Sequence, residues 1–265
     1  MTGALTLYHA PPSTCSQKVR LVLAEKGLAY QSQLIDLFSG GQHDPDYVKL
    51  NPNHVVPTLV HDGRPIIESM LISEYLEDTF PDIALMPQDA VGRHAVRLWT
   101  QYIDRVHAHA AALTFAVGPR KMIVSQGQAA IEANVASVHG NKGQAARRIA
   151  LEQGVASPLF GEALAAFVAM LDRMEDSLQS SAWLANDAFS LADTAALPYV
   201  LRLDHLSMTP LIEARPKLAD WFARVAARPS YGPAITDYVV PPMVAMLKAN
   251  GAEVWPEIDA LLKAA

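Results

Sequence analysis

Ser13, Thr14 and Cys15 stand side by side in the stretch Pro11-Pro12-Ser13-Thr14-Cys15-Ser16-Gln17-Lys18-Val19-Arg20. The apolar run Leu5 to Tyr8 precedes them and Val19 to Ala24 follows, which reads as a strand, a two-proline turn and the start of a helix. A helix N-terminus carries unpaired N–H groups and a partial positive charge, so it can hold an anion. A serine hydroxyl at that point is what a site needs to bind a thiolate supplied by a small molecule and keep it ionised. The plain alternative is that Ser13 only caps its own helix. Thr14 is the second hydroxyl donor. Cys15, in the first turn, permits a rival chemistry of mixed disulfides and direct nucleophilic attack.

The surrounding elements must place that turn. Leu5–His9 is expected as a strand and Ser13–Lys26 as a helix, with Gly27 just beyond its end. A second strand over 29–37 is broken by Ser39-Gly40-Gly41, and a short helix over 46–50 stops at Asn51-Pro52. Pro57–Val60, the turn His61-Asp62-Gly63-Arg64 and Pro65–Glu68 spell a hairpin. Ser69 is expected to cap a helix through Thr79, which Pro81 ends.

From Asp89 the strand signals vanish and apolar residues recur at helical spacing. Leu98, Tyr102, Arg105 and Val106 mark one long helix; Leu164, Phe167, Leu171 and Met174 mark another over 160–178. Residues 118–157 are polar, rich in Gly, Gln and Ala, and read as an insertion of loop and irregular helix. Ser190 and Asp193 form a capping box with Asp in place of Glu or Gln, opening an apolar helix to Leu206. As a cap alone, Asp193→Ala should cost about 1 kcal/mol or somewhat more. A further helix covers 216–227. The tail, with Pro233, Pro241, Pro242 and Pro256, is expected as short helices broken by turns. The fold class is therefore α/β plus all-α, with an α/β domain over 1–81 and an all-helical domain over 89–265.

The totals exclude several classes. A chain of 265 residues can bury real cores, and no apolar run approaches the roughly 18 residues of a membrane span. A formal charge of −6 without Lys/Arg blocks argues against nucleic acid as partner. One cysteine excludes an internal disulfide, and the N-terminus carries no basic start or apolar signal core, so a cytoplasmic setting is expected. Nine histidines form no metal pattern: His107 and His109, two apart, point away from each other on a helix.

Four signals in order resemble the glutathione transferases: Ser13-Thr14-Cys15 opening the first helix, Val55-Val56-Pro57 opening the third strand, Glu68-Ser69 at the next helix start, and Ser190-x-x-Asp193 further on. Each is weak alone; together they cover nearly the whole chain and look most like the serine-type classes, phi and zeta and their bacterial relatives. The resemblance implies a thioredoxin-like domain followed by a helical bundle, with glutathione as co-substrate and an apolar or aromatic electrophile as its partner. It implies that Ser13 donates to the glutathione sulfur, and that Pro57 is cis so that Val56 pairs with the cysteinyl backbone. Glu68 and Ser69 would then meet the γ-glutamyl end, and Gln42, His43 and His54 would lie near the glycyl carboxylate. Tyr8, near the strand end, reads as core or pocket wall. The second substrate has no motif; Pro11, Pro12, residues 107–115, Met122, Met243, Met246 and Trp255 are candidates for its lining, between the domains.

The insertion, the Arg147-Arg148 pair and the extended tail look like bacterial glutathione-dependent β-aryl etherases, which act on lignin-derived aromatics. Dehalogenation and general conjugation are the neighbouring reactions. A conjugate lyase or thiol reductase using Cys15 is the alternative chemistry, and a binding protein that kept only the fold is the non-enzymatic alternative. A homodimer through the helices at 69–79 and 89–110 is implied by the family.

Overall fold

In the computed structural model, which describes residues 3–138 and 140–264, the N-terminal elements are β1 (Leu5–His9), α1 (Thr14–Glu25), β2 (Gln31–Leu34), α2 (Pro45–Leu50), β3 (Thr58–His61), β4 (Arg64–Ile67) and α3 (Ser69–Thr79). They form one four-stranded sheet in the order β2-β1-β3-β4. β1 runs parallel to β2, with Leu7 opposite Ser32, and antiparallel to β3, with Leu7 opposite Leu59. β3 and β4 close the expected hairpin through Asp62 at φ 49° and Gly63 at φ 79°. Two left-handed residues in succession give the turn whose twist matches its strands. Along β1, Leu5, Leu7 and His9 are buried while Thr6 and Tyr8 are half-buried, the two-residue period of a pleated strand. β2 is shorter than its sequence suggests. Its pairing with β1 ends at His9 opposite Leu34, where β1 itself stops.

All later elements are helical: α4 (Ala90–Val117), α5 (Pro119–Ser125), α6 (Gln128–Ala136), α7 (Asn141–Gln153), α8 (Pro158–Leu178), α9 (Leu191–His205), α10 (Pro210–Glu213), α11 (Pro216–Ala226), α12 (Tyr231–Ala234) and α13 (Pro241–Ala264). A mixed β/α, thioredoxin-like domain is thus followed by an all-helical bundle. Two expectations are corrected. The segment 118–157 is not irregular but contains three helices, separated at Gly127 and Gly140, both at positive φ. They are held by groups that hydropathy does not register: Arg120 Nε donates to Leu151 O at 2.8 Å, and Arg148 grips Glu132 at 2.8 and 2.7 Å. The tail after 240 is one 24-residue helix. Pro241 and Pro242 fill its first turn, where no intrahelical N–H is needed. Gly251 lets it close on the turn after α9, since a Cβ there would stand 1.8 Å from Leu206 O.

The chain divides into two compact units. One comprises Met1–Gln101, Ser177–Pro198 and Asp220–Val240, and the other Tyr102–Asp176, Tyr199–Ala219 and Pro241–Ala265. The core of the second is built on α8, whose Phe160, Phe167, Met170, Leu171 and Met174 are fully buried. Tyr199 meets Phe167 edge-on and bonds His107 Nδ1 through its hydroxyl at 3.0 Å. No single helix among the described residues is long and apolar enough to cross a membrane.

In the first unit α1 is buried over nine of its twelve residues, Lys18 and Arg20 among them, and Lys26 just beyond its end is buried as well. Lys26, the C-cap residue, pairs with Glu77 at 2.6 Å and donates to Phe80 O and Ile83 O. Glu77 in turn accepts from the N–H groups of Leu85 and Met86, so the chain leaving α3 is tied to both ends of the pair. Arg20 reaches the other way. It donates to Ala10 O, Pro11 O and Ala234 O, and its Nη1 lies 3.1 Å from His9 Nδ1. Burial and the neighbouring guanidinium hold His9 down at about 4, and burial lowers Arg20 to about 10, still charged at neutral pH. The Nε2 of His9 meets Ser32 Oγ at 2.8 Å.

Asp193 is fully buried and does more than cap. Its Oδ2 accepts from the Ser190 N–H, the return bond of a capping box, and from the Ser190 hydroxyl, which itself accepts from Ala192 N. Its Oδ1 accepts from Leu184 N at 3.1 Å and Trp221 Nε1 at 2.8 Å. Removing it strands several buried donors, each costing about 1–3 kcal/mol. Asp193→Ala is therefore expected to lose about 3–5 kcal/mol in urea unfolding. A loss near 1 kcal/mol would reduce Asp193 to a simple cap. For His9, a folded value near 4 against about 6.5 in the free chain means the unfolded state binds more protons between those limits. Its contribution is fully present above about pH 6.5 and declines as pH falls toward 4, by about 3 kcal/mol at most. The stability gap between wild type and His9→Gln should narrow over that window; a constant gap would contradict the buried imidazole.

Candidate active site

Ser13 is the N-cap of α1, at φ −73° and ψ 120°, and its Oγ accepts from Ser16 N at 3.2 Å. An oxygen that caps through a lone pair keeps its own O–H to donate elsewhere. Capping and donation to a sulfur are therefore compatible roles for one hydroxyl. Ser13 is half-buried, whereas Thr14 is only 9% exposed, which favours the first hydroxyl as the accessible donor. Cys15 is also half-buried. The turn before Ser13 is fixed on both sides: Ser13 N donates to Ala10 O at 3.3 Å, and Ala10 N donates to Ser16 Oγ.

The Val56–Pro57 bond is cis, as the sequence reading expected. Val56 lies just outside the β3 ladder, which begins at Thr58, so the sheet does not claim its N–H and C=O. The preceding peptide is anchored instead: Val55 O accepts from Tyr47 OH at 2.6 Å and Asn51 Nδ2 at 2.9 Å. Ala10, Tyr47 and Val56 pack as one buried cluster, with Tyr8, Ile35 and Leu37 against it. That cluster packs Ala10, at the start of the turn ahead of Ser13, against Val56, and Tyr8 lies against it with its ring 5.9 Å from that of Tyr47.

The cap position of α3 falls one residue earlier than expected. Glu68 is the N-cap position of α3 without a side-chain cap, and Ser69 is the first helical residue, 7% exposed. Glu68 sits at φ 69°, a conformation that costs a non-glycine residue of order 1–3 kcal/mol. Its carboxylate, in return, projects from the helix start and accepts from Asn53 Nδ2 at 3.0 Å. Ser69 N–H is among the first-turn donors that lack an intrahelical acceptor.

Gln42, His43 and His54 form a chain. Gln42 Nε2 meets His43 Nε2 at 3.1 Å, and His43 Nδ1 meets His54 Nδ1 at 3.2 Å, with the rings 5.2 Å apart. If the amide donates to His43 Nε2, His43 must donate onward through Nδ1, which leaves the exposed His54 with an outward Nε2–H. Gln42 Oε1 is buried without a partner among the described residues. An orphaned amide oxygen beside two imidazoles suits a ligand that carries both an amide and a carboxylate.

Four contributors were not legible in the sequence. Asn53 ties Glu68, Tyr47 and Asn51 anchor Val55, and Arg20 grips the turn before Ser13. Their roles arise from where the fold brings them, and the residue types carry no signal of their own. Of the second-substrate candidates, Phe115 lies 4.0 Å beneath the Arg147 guanidinium, Met122 is 54% exposed, and Met246 contacts Asn250.

Two family models match the chain: the glutathione S-transferase N-terminal domain over residues 12–79 and the glutathione S-transferase C-terminal domain over 154–229. Among curated proteins, glutathione S-transferase TCHQD of Arabidopsis thaliana is 29% identical over 243 residues, covering 88% of this chain and 90% of that protein. The tetrachloro-p-hydroquinone reductive dehalogenase of Sphingobium chlorophenolicum is 29% identical over 238 residues, covering 86% of this chain and 94% of its own length. The crystal structure of the beta-etherase LigF from Sphingobium sp. strain SYK-6 superposes with a TM-score of 0.75 at 27% identity, covering 89% of this chain and all of that one. Between them the two models span more than half of the sequence, in the order in which the two kinds of structure occur, and the chain belongs to the glutathione S-transferase family.

Proposed function

We propose that this protein is a glutathione transferase in which the Ser13 hydroxyl holds the glutathione sulfur as a thiolate for attack on an apolar, aromatic electrophile, with β-aryl ether cleavage as its particular reaction. The observation that carries the reading is the geometry of Ser13: its lone pair is used by Ser16 N and its proton is left to donate at the positive end of α1. Such a donor favours the ionised form of a thiol whose free value is about 8.5. Val56, Glu68, Asn53 and the Gln42–His43–His54 chain are the groups we assign to the rest of the tripeptide. Catalysis is then stabilisation of the attacking sulfur plus the holding of two reactants together.

In the ether reaction a C–S bond forms at the carbon beside a ketone while the C–O bond to the aryl group breaks. The departing phenolate takes up a proton from solvent. The etherase LigF supports this choice through its coverage of nearly the whole chain. The similarly covered dehalogenase makes displacement of halide from an aromatic the second reading. The same proposal takes the working molecule as a cytoplasmic homodimer, in which exposed Leu71, Val91 and Leu98 on α3 and α4 give a partner apolar surface to cover.

Incubation with glutathione and a β-aryl ether ketone, read by mass spectrometry, should yield a glutathione thioether and one equivalent of phenol. Ketone left intact beside rapid conversion of chlorinated hydroquinones would transfer the assignment to dehalogenation. Ser13→Ala should retain glutathione on an affinity resin while kcat drops by roughly 10²–10³. Cys15→Ala should stay near wild type, and the reverse pattern would make Cys15 the nucleophile. Asn53→Ala, which frees Glu68, should raise the KM for glutathione severalfold with little change in kcat; an unchanged KM would remove the Glu68 end from the binding site.

A further inference from the structure

The turn that presents Ser13 is gripped from behind by Arg20, and Arg20 is gripped by a segment 214 residues away in sequence. Arg20 is 1% exposed. Nη1 donates to Ala10 O at 3.2 Å, Nη2 to Pro11 O at 3.2 Å, and Nε to Ala234 O at 2.7 Å. The guanidinium carbon lies 4.3 Å from the centre of the Tyr238 ring, whose hydroxyl meets Tyr30 OH at 3.1 Å. His9, edge-on to Tyr238 with ring centres 5.0 Å apart, closes the cluster at Nη1. Every one of these residues belongs to the same compact unit.

One atom joins this cluster to the serine. Ala10 O receives both the Arg20 Nη1 bond and the Ser13 N–H bond, so a movement of the guanidinium is passed directly to the Ser13 backbone. Pro11 O, fixed by Nη2, leaves only Pro12 between the clamped carbonyls and Ser13. The planar fork of an arginine can serve these diverging acceptors at once, whereas a lysine ammonium is a single point with three donors.

We propose that Arg20 is a positioning residue for Ser13, and that residues 230–238 are the strut that sets Arg20. Ala234 O and the Tyr238 ring fix the guanidinium, the guanidinium fixes the Ala10 and Pro11 carbonyls, and these aim Ser13 Oγ. The inference rests on Ser13 being the donor to the glutathione sulfur. A purely structural Arg20 would affect melting alone; a positioning Arg20 also changes the ionisation of the bound thiol.

The test is an ultraviolet titration of thiolate on the full-length enzyme saturated with glutathione, for wild type, Arg20→Lys, Tyr238→Leu, Ser13→Ala and the Arg20→Lys/Ser13→Ala pair, with kinetics on an activated aryl halide and thermal melting alongside. Arg20→Lys should move the thiol midpoint upward by about one unit, roughly tenfold less thiolate at a fixed pH below it. kcat should fall in proportion while the KM for glutathione stays within about threefold. Tyr238→Leu should move the midpoint the same way by less, and the Arg20→Lys shift should disappear when Ser13 is already alanine. Folded Arg20→Lys and Tyr238→Leu variants with wild-type midpoints, beside a shifted Ser13→Ala, would overturn the strut and leave the role of Ser13 standing. A shift that persists without Ser13 would also overturn it. If Ser13→Ala itself titrates like wild type, the reading of Ser13 falls and the strut with it. Should Arg20→Lys fail to fold, Tyr238→Leu decides.

Discussion

Two of the buried cations at α1, Arg20 within it and Lys26 at its C-cap, set the terms for the rest of the first unit. Taking a guanidinium or an ammonium out of water costs several kcal/mol unless each donor finds an acceptor. Arg20 and Lys26 meet that demand with main-chain carbonyls: Ala10, Pro11 and Ala234 for one, Phe80 and Ile83 for the other. The carbonyls they need lie on three separate stretches of chain. Satisfying one side chain of α1 and one at its C-cap therefore decides where the β1–α1 turn, the exit from α3 and the segment after Arg228 must run. Glu77 completes the balance at Lys26 and extends it to Leu85 and Met86.

The candidate site inherits its precision from these ties. Ser13 is held by the helix it caps and by Ala10 O, which Arg20 also holds. Val56 is held through its neighbour, whose carbonyl is bonded by Tyr47 and Asn51. Glu68 occupies a strained backbone conformation that carries its carboxylate to Asn53. Strain at such a residue persists only where its surroundings over-determine it, and here the helix it precedes and the strand it follows do so. A flexible tripeptide offers an amine, amides and a carboxylate, and loses less freedom on binding to groups already in place.

The legible parts of this protein were those set by local rules. An apolar run revealed β1, Asp62-Gly63 revealed the hairpin turn, and Ser13 and Gly27 bracketed α1. The order of the four motifs, more than any one residue, led to the family. Local rules failed where side chains far apart in sequence do the work. Residues 118–157 lack a strong apolar stripe, yet Arg120 and Arg148 cross-link them as helices through Leu151 and Glu132. The prolines of the tail read as breakers, but two of them sit in a first turn where proline is tolerated. Ser69 looked like a cap because serine favours that position; the left-handed Glu68 moved the boundary by one residue. Asp193 read as a cap worth about 1 kcal/mol because Leu184 and Trp221 lie 9 and 28 positions away from it. Arg20, charged amid an apolar run, gave no sign of being buried.

The central claim is that Ser13, and neither Thr14 nor Cys15, faces the sulfur of glutathione. A crystal structure of the glutathione complex measures this most directly. The account predicts Ser13 Oγ within hydrogen-bonding distance of the glutathione sulfur, with the cysteinyl backbone paired to Val56. A disulfide between Cys15 Sγ and glutathione, or a sulfur that turns away from Ser13, would contradict it.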